Sequence, residues 1–195
     1  MKKGYLLGLF LGCLLVSSLV SDEITDAIDK GLIFYKQGEY SNALESLSYA
    51  NQLIRQKKGD SLESILPQPF SGWGADKPSS TVASDDLLGG GISVERHYYK
   101  DESNVDIIFL SDTPLMQSIL MLLSNPVFAT SEGSEIQTIS SQQAIVNYDE
   151  KDRSGDVNIV VADKYLVQIN GLGISKQILI DYTEAIDFAK LKALK

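Results

Sequence analysis

Between residues 92 and 169 the chain reads as short apolar segments separated by polar turns, and this pattern leaves few architectures open. Residues 92–100 and 105–110 are joined by Lys100-Asp101-Glu102-Ser103-Asn104. Residues 144–148 reach 157–161 through Asp152-Arg153-Ser154-Gly155-Asp156, and 157–161 reach 165–169 through Ala162-Asp163-Lys164. Turns that short bring the chain back beside itself, so neighbouring strands are antiparallel; a parallel pair needs a crossover of roughly a dozen residues or more. Two helical patterns interrupt the strands. Thr113 caps the first, with Pro114 where a missing N–H costs nothing, and residues 115–123 are apolar nearly all round, which predicts burial. The second opens at Ser175 and places Ile178, Tyr182, Ala185, Ile186 and Ala189 on one face. With residues 137–139 as a further strand and a short one near Thr81-Val82, the fold class is α+β: an antiparallel sheet covered by two helices.

Ahead of the sheet lies a different pattern. From Asp22 to Tyr35 the apolar positions Ile24, Ala27, Ile28, Gly31, Leu32 and Tyr35 fall at helical spacing, behind an acidic first turn of Asp22, Glu23 and Asp26 that suits the positive end of a helix dipole. Gln37-Gly38-Glu39 breaks the pattern. Ser41 then caps a second helix carrying Ala43, Leu44, Leu47, Ala50 and Ile54, which the Lys57-Lys58-Gly59 sequence should end. The segment from Gly31 to Leu44, with its small residue, aromatic, Gly-x-Tyr turn and following Ala-Leu, resembles the core of a tetratricopeptide repeat. The resemblance covers about one repeat of ~34 residues, whereas such arrays need about three to bury a core. It therefore implies a hairpin that packs on something else, with Ile28, Leu32, Tyr35, Leu44 and Leu47 as the candidate protein-interaction face.

Pro67-Gln68-Pro69 excludes regular helix, so the helical hairpin is placed at 22–66 and the α+β sandwich at 67–195. Phe70 and Trp73 follow in a Pro- and Gly-rich stretch, where they form either a binding lip or anchors that tie the connector to the domain. The strand order, the Leu66-Pro67 and Gly72-Trp73 segment and the closing helix together resemble the PsbP-like α/β/α sandwich. That resemblance implies an assembly or accessory factor and no catalytic residue.

Residues 1–21 read as an export signal: Lys2 and Lys3, an apolar run from Tyr5 to Val16, then Ser17, Ser18 and Ser21, with cleavage near Ser18 or Ser21. The apolar run is shorter than the ~20 residues of a spanning helix, so no stable membrane span is expected after cleavage. Phe10-Leu11-Gly12-Cys13 also resembles a lipobox, which leaves lipidation of Cys13 as the alternative to a periplasmic protein. With Cys13 the sole cysteine, a mature chain has neither a disulfide nor a thiolate metal site. A net charge of −9 without a basic run argues against nucleic acid as a partner.

Few residues bear on catalysis. His97 is the single histidine, which excludes a histidine metal cluster, and no Gly-x-Ser-x-Gly is present. It shares a strand face with Ser93, Glu95 and Tyr99, opposite Ile92, Val94 and Tyr98, and reads as a sheet-surface residue. Gly89-Gly90-Gly91 lacks the lysine and hydroxyl of a phosphate loop. The acidic stretch from Asp149 to Asp156 is a hairpin turn before it is a calcium loop, since Lys151 and Arg153 interrupt the ligand spacing. No catalytic residue, cofactor or metal is expected. The reading is a non-enzymatic periplasmic accessory protein that binds a protein partner or itself, the alternative being a carrier of a lipid or other apolar ligand, for which the 115–123 segment speaks.

Overall fold

The computed structural model describes residues 22–83, 91–124 and 134–194. The export signal with Cys13, Ser18 and Ser21, the Gly89-Gly90 pair and the Asn125-Pro126 helix stop lie outside the described residues. The chain divides into two compact units, 1–50 and 51–195.

In the first unit, α1 (Glu23–Lys36) begins where Asp22 accepts a hydrogen bond from the Thr25 amide at 2.9 Å. Gly38 closes the turn with φ of +77°, a conformation that only glycine adopts cheaply, and the Glu39 amide returns to the Phe34 carbonyl at 2.9 Å. The second helix, α2 (Tyr40–Glu63), follows at once, and the division between the units falls inside it. Among the described residues of this unit, Ala27, Gly31, Ala43 and Ala50 are the buried ones. A Cβ on Gly31 would stand 2.8 Å from Leu47 Cγ and 3.5 Å from the Ala43 carbonyl oxygen, so glycine permits the close helix approach.

The second unit contains every described strand. Its eight-stranded sheet is built from β1 (Gly74–Ala75), β2 (Ser79–Ala83), β3 (Gly91–Lys100), β4 (Ser103–Ser111), β5 (Glu135–Ile139), β6 (Gln142–Asp149), β7 (Ser154–Val161) and β8 (Tyr165–Leu172). Every pair is antiparallel and the order is β1-β3-β4-β8-β7-β6-β5, with β2 beside β1 along the same edge of β3. The β5 to β8 meander thus ends against β4. Turn chemistry explains the hairpins: Ser140 and Ser141 both take positive φ, as a two-residue loop requires, and Asp149 Oδ1 accepts from the Lys151 and Asp152 amides at 2.7 and 3.2 Å. Asp149 is therefore engaged by its turn, and Asp156 of the same stretch stands on β7.

One sheet face carries the core. Val94, Tyr98, Ile107, Phe109, Val157, Ile159, Val167 and Ile169 alternate inward and meet Leu62, Ile65 and Leu66 from α2 and the segment after it. Leu179, Tyr182, Ile186, Phe188 and Leu191 complete it from α4 (Lys176–Glu184) and α5 (Phe188–Ala193). Since Leu62, Ile65 and Leu66 belong to this core, a boundary at Pro67 cuts through it. Gly59 does not end α2. It lies inside the helix, buried, where a Cβ would stand 2.3 Å from Ser80 Oγ, so it is a close-approach glycine rather than a cap. The closing helix is two helices, because Asp187 accepts from the Lys190 amide at 2.9 Å and restarts the chain; the first turns Leu179 and Tyr182 to the core, Ala185 is exposed at its end, and the second buries Phe188 and Leu191 and leaves Ala189 exposed.

On the opposite face, Ile145 and Leu166 are buried outside the main core, and α3 (Leu115–Ser124) lies against β6, β7 and β8. Full burial of α3 is not observed. Met116 is buried, whereas Leu115 is 56% and Met121 72% exposed, since a helix on one layer presents only one side to it.

Candidate functional site

The apolar stripe of the hairpin is on the surface. Ile28, Leu32, Tyr35, Leu44 and Leu47 are 41%, 47%, 61%, 68% and 45% exposed; the buried positions belong to small residues, and Leu47 reaches the seam only to pack over Gly31. Tyr35 and Tyr40 rings approach to 6.0 Å across the turn. At the far end the Tyr49 hydroxyl donates to Glu23 Oε1 at 2.5 Å, and that carboxylate holds the phenol above its ordinary value. The hairpin is thus tied at both ends, with most of its large apolar side chains exposed.

Phe70 and Trp73 stand on the sheet unit. Their rings lie 4.3 and 5.3 Å from that of Tyr182, and Tyr98 joins the same cluster at 4.9 Å. The Tyr98 hydroxyl donates to the Pro67 carbonyl at 2.7 Å, and burial pushes this phenol well above its ordinary value. Arg96 donates to the same carbonyl at 3.0 Å and to that of Asp76 at 3.0 Å. This aromatic and polar set anchors the Pro-rich connector to the core.

His97 lies on the sheet face opposite the core, as its alternation requires. Register places Asp106 across from it on β4, and His97 Nδ1 and Asp106 Oδ1 are 2.6 Å apart. The row continues through Asn170 and Asp156 to Asn147, crossing five strands. Asp156 accepts from Asn147 at 3.0 Å and Asn158 at 2.7 Å, and Gln168 donates to Asn158 at 2.8 Å. The Tyr99 ring stacks beside His97 with centroids 5.9 Å apart and planes 26° from parallel. At the β3 end the row opens into a cleft of about 450 Å³, framed by Asp76, Lys77, Glu95, His97, Asp106 and Asn170.

No family model, curated protein or solved structure matches this chain.

An imidazole held by a carboxylate is half of a nucleophile-activating system. Among the described residues, however, no serine, threonine or cysteine side chain hydrogen-bonds to His97, and no group of three or more His, Cys, Asp or Glu is placed to hold a metal ion. The pair sits in a polar cleft rather than beside an activated nucleophile. His97 is a sheet-surface residue, as its alternation predicts, and what the alternation does not show is this cleft. One signal was available: a two-residue loop at Asp101-Glu102 pairs His97 with Asp106 by register. The remaining strands of the row come from distant parts of the sequence.

Proposed function

We propose that this protein is an exported, non-enzymatic accessory factor that binds another protein through its helical hairpin. The observation that carries the proposal is the inversion in that hairpin: alanine and glycine are its buried residues, while Ile28, Leu32, Tyr35 and Leu44 stay exposed and Leu47, packed over Gly31, is still 45% exposed. A repeat-like hairpin that spends its small residues on its own seam keeps its large ones for a neighbour, as stacked helical repeats do. Several large apolar side chains exposed on one small hairpin are what a protein-binding surface offers. Export is part of the same proposal and rests on the basic, apolar and small-residue order of positions 1–21. Among the described residues no helix is long and apolar enough to cross a membrane.

The test is photo-crosslinking from position 32 or 44 in the producing cell, followed by identification of the adduct and reconstitution with the purified partner. A defined adduct whose reconstituted complex is lost with Leu32→Glu and Leu44→Glu is the expected result. A monomer by analytical ultracentrifugation that yields no adduct from either position overturns the proposal.

A further inference from the structure

We infer that the cleft beside the His97–Asp106 pair binds an uncharged, hydroxyl-rich ligand of the size of one or two sugar rings.

The cleft results from an irregularity in the sheet edge. Ala75 pairs with Tyr98 and Ser79 with Glu95, so the edge advances four residues while β3 advances three. The extra residue falls at Asp76-Lys77-Pro78, where proline cannot donate to the ladder. A bulge of this kind re-aims side chains, and here it carries Asp76 and Lys77 to the cleft rim. It is fixed in place: the Asp76 amide donates to the His97 carbonyl at 2.9 Å, and Arg96 Nε donates to the Asp76 carbonyl at 3.0 Å. The walls are fixed as well, since Ser79 Oγ donates to Glu95 Oε1 at 3.2 Å and His97 engages Asp106 Oδ1. Each of those carboxylates keeps a second oxygen with acceptor capacity.

The chemistry of the lining selects the ligand class. Asp76, Glu95 and Asp106 face Lys77 as the cation of the rim, since Arg96 turns to the core side and is bound to the Pro67 and Asp76 carbonyls. An anion therefore gains nothing by entering, and Lys77 together with the His97 contact to Asp106 leaves, among the described residues, no carboxylate cluster closed enough to hold a metal ion. What the cleft offers is a dense set of acceptors with a few donors, from carboxylates, the Asn170 amide and the Lys77 ammonium. A ligand whose surface is mostly O–H groups matches that set, because each hydroxyl both donates and accepts. Ile108 and the His97 ring add apolar surface against which the C–H side of a sugar ring can rest, with the Tyr99 ring stacked beside His97 to support it. A volume of about 450 Å³ lies within the range of small-molecule sites.

The single imidazole makes the test direct. Cellobiose, maltose and N-acetylglucosamine are titrated into the intact protein while the ¹H–¹³C signals of its only histidine are followed by NMR, with spermidine as a cationic control. The expected result is a saturable shift with at least one sugar, weakened about tenfold or more by Glu95→Gln, the loss of one hydrogen bond to a charged group. Asp106→Asn, nearly the same size, is expected to weaken it likewise, and the circular dichroism of both variants shows whether they are folded. A shift with spermidine and none with any sugar overturns the inference in favour of a cation site. Histidine signals unmoved by every probe overturn it outright.

Discussion

In the sheet unit the residues withdrawn from solvent are large: Tyr98, Tyr165, Tyr182, Phe109 and Leu62 are fully or almost fully buried. In the hairpin they are Ala27, Gly31, Ala43 and Ala50, while five large apolar residues of the same stripe stay exposed. Full burial of a Leu or Phe side chain contributes about 1.5–3 kcal/mol, and a methyl about 0.8. The sheet unit therefore carries a core of its own. The hairpin gains little from its seam, and α1, at 14 residues, is near the length at which an isolated helix is marginal in water. Two units of one chain thus use apolar residues in opposite ways, one for its own stability and the other for a surface that a neighbour can cover.

The sharpest way to break this contrast is at leucine, since both regions contain it. Leu62 is fully buried within the sheet unit's core. Leu62→Ala is expected to lower the unfolding free energy by about 2–5 kcal/mol, the range for truncating a core leucine. Trp73, the only tryptophan, packs on Tyr182 in that unit, so urea unfolding followed by its fluorescence reports the change. A loss below about 0.5 kcal/mol, the scale of surface substitutions, would show that the core does not close over this end of α2.

Much of this division was readable from local chemistry. The strands are bounded by turns whose residues act within a few positions, so β3 and β4 start and stop within two residues of their expected ends, and the sheet is antiparallel as those turns require. What failed depended on packing. Gly59 looks like a helix stop because glycine after two lysines commonly is one, yet the reason for it is Ser80, more than twenty residues away. A continuous helical period from Ser175 to Ala189 missed the restart at Asp187, and with it the face that turns inward. In the hairpin the apolar stripe was visible, but periodicity treats alanine and leucine alike and does not say which of them forms the seam. The cleft was hidden for a stricter reason: Asp76, His97, Asp106 and Asn170 meet only once three strand registers and one edge bulge are set.

A pair of tyrosines sharpens the account of the core that the hairpin lacks. Tyr98 and Tyr182 are both fully buried in one aromatic cluster, but only Tyr98 has a hydrogen bond, to the Pro67 carbonyl. Among the described residues the Tyr182 hydroxyl has only the Phe70 backbone beside it, short of hydrogen-bond geometry. Tyr98→Phe is expected to cost about 1 kcal/mol in the same urea assay. Tyr182→Phe should cost nothing measurable, because it removes a buried polar atom that lacks a hydrogen bond. Equal losses in the two variants would mean that the connector is held by ring packing alone and that the Pro67 contact contributes nothing separate.

The smallest expected effect bears hardest on the comparison. Leu44 is 68% exposed on α2. Its truncation to alanine opens no cavity and improves local helix propensity slightly, so Leu44→Ala should leave the urea midpoint within about 0.5 kcal/mol of the parent by Trp73 fluorescence and by helical circular dichroism. The same leucine-to-alanine change then separates the two regions by at least about 1.5 kcal/mol, with side-chain chemistry held constant. A Leu44→Ala loss approaching that of Leu62→Ala would mean that the hairpin face is already covered in solution. Repeating the measurement across protein concentrations distinguishes the sources, since a loss arising from self-association grows with concentration while one arising within a single chain does not.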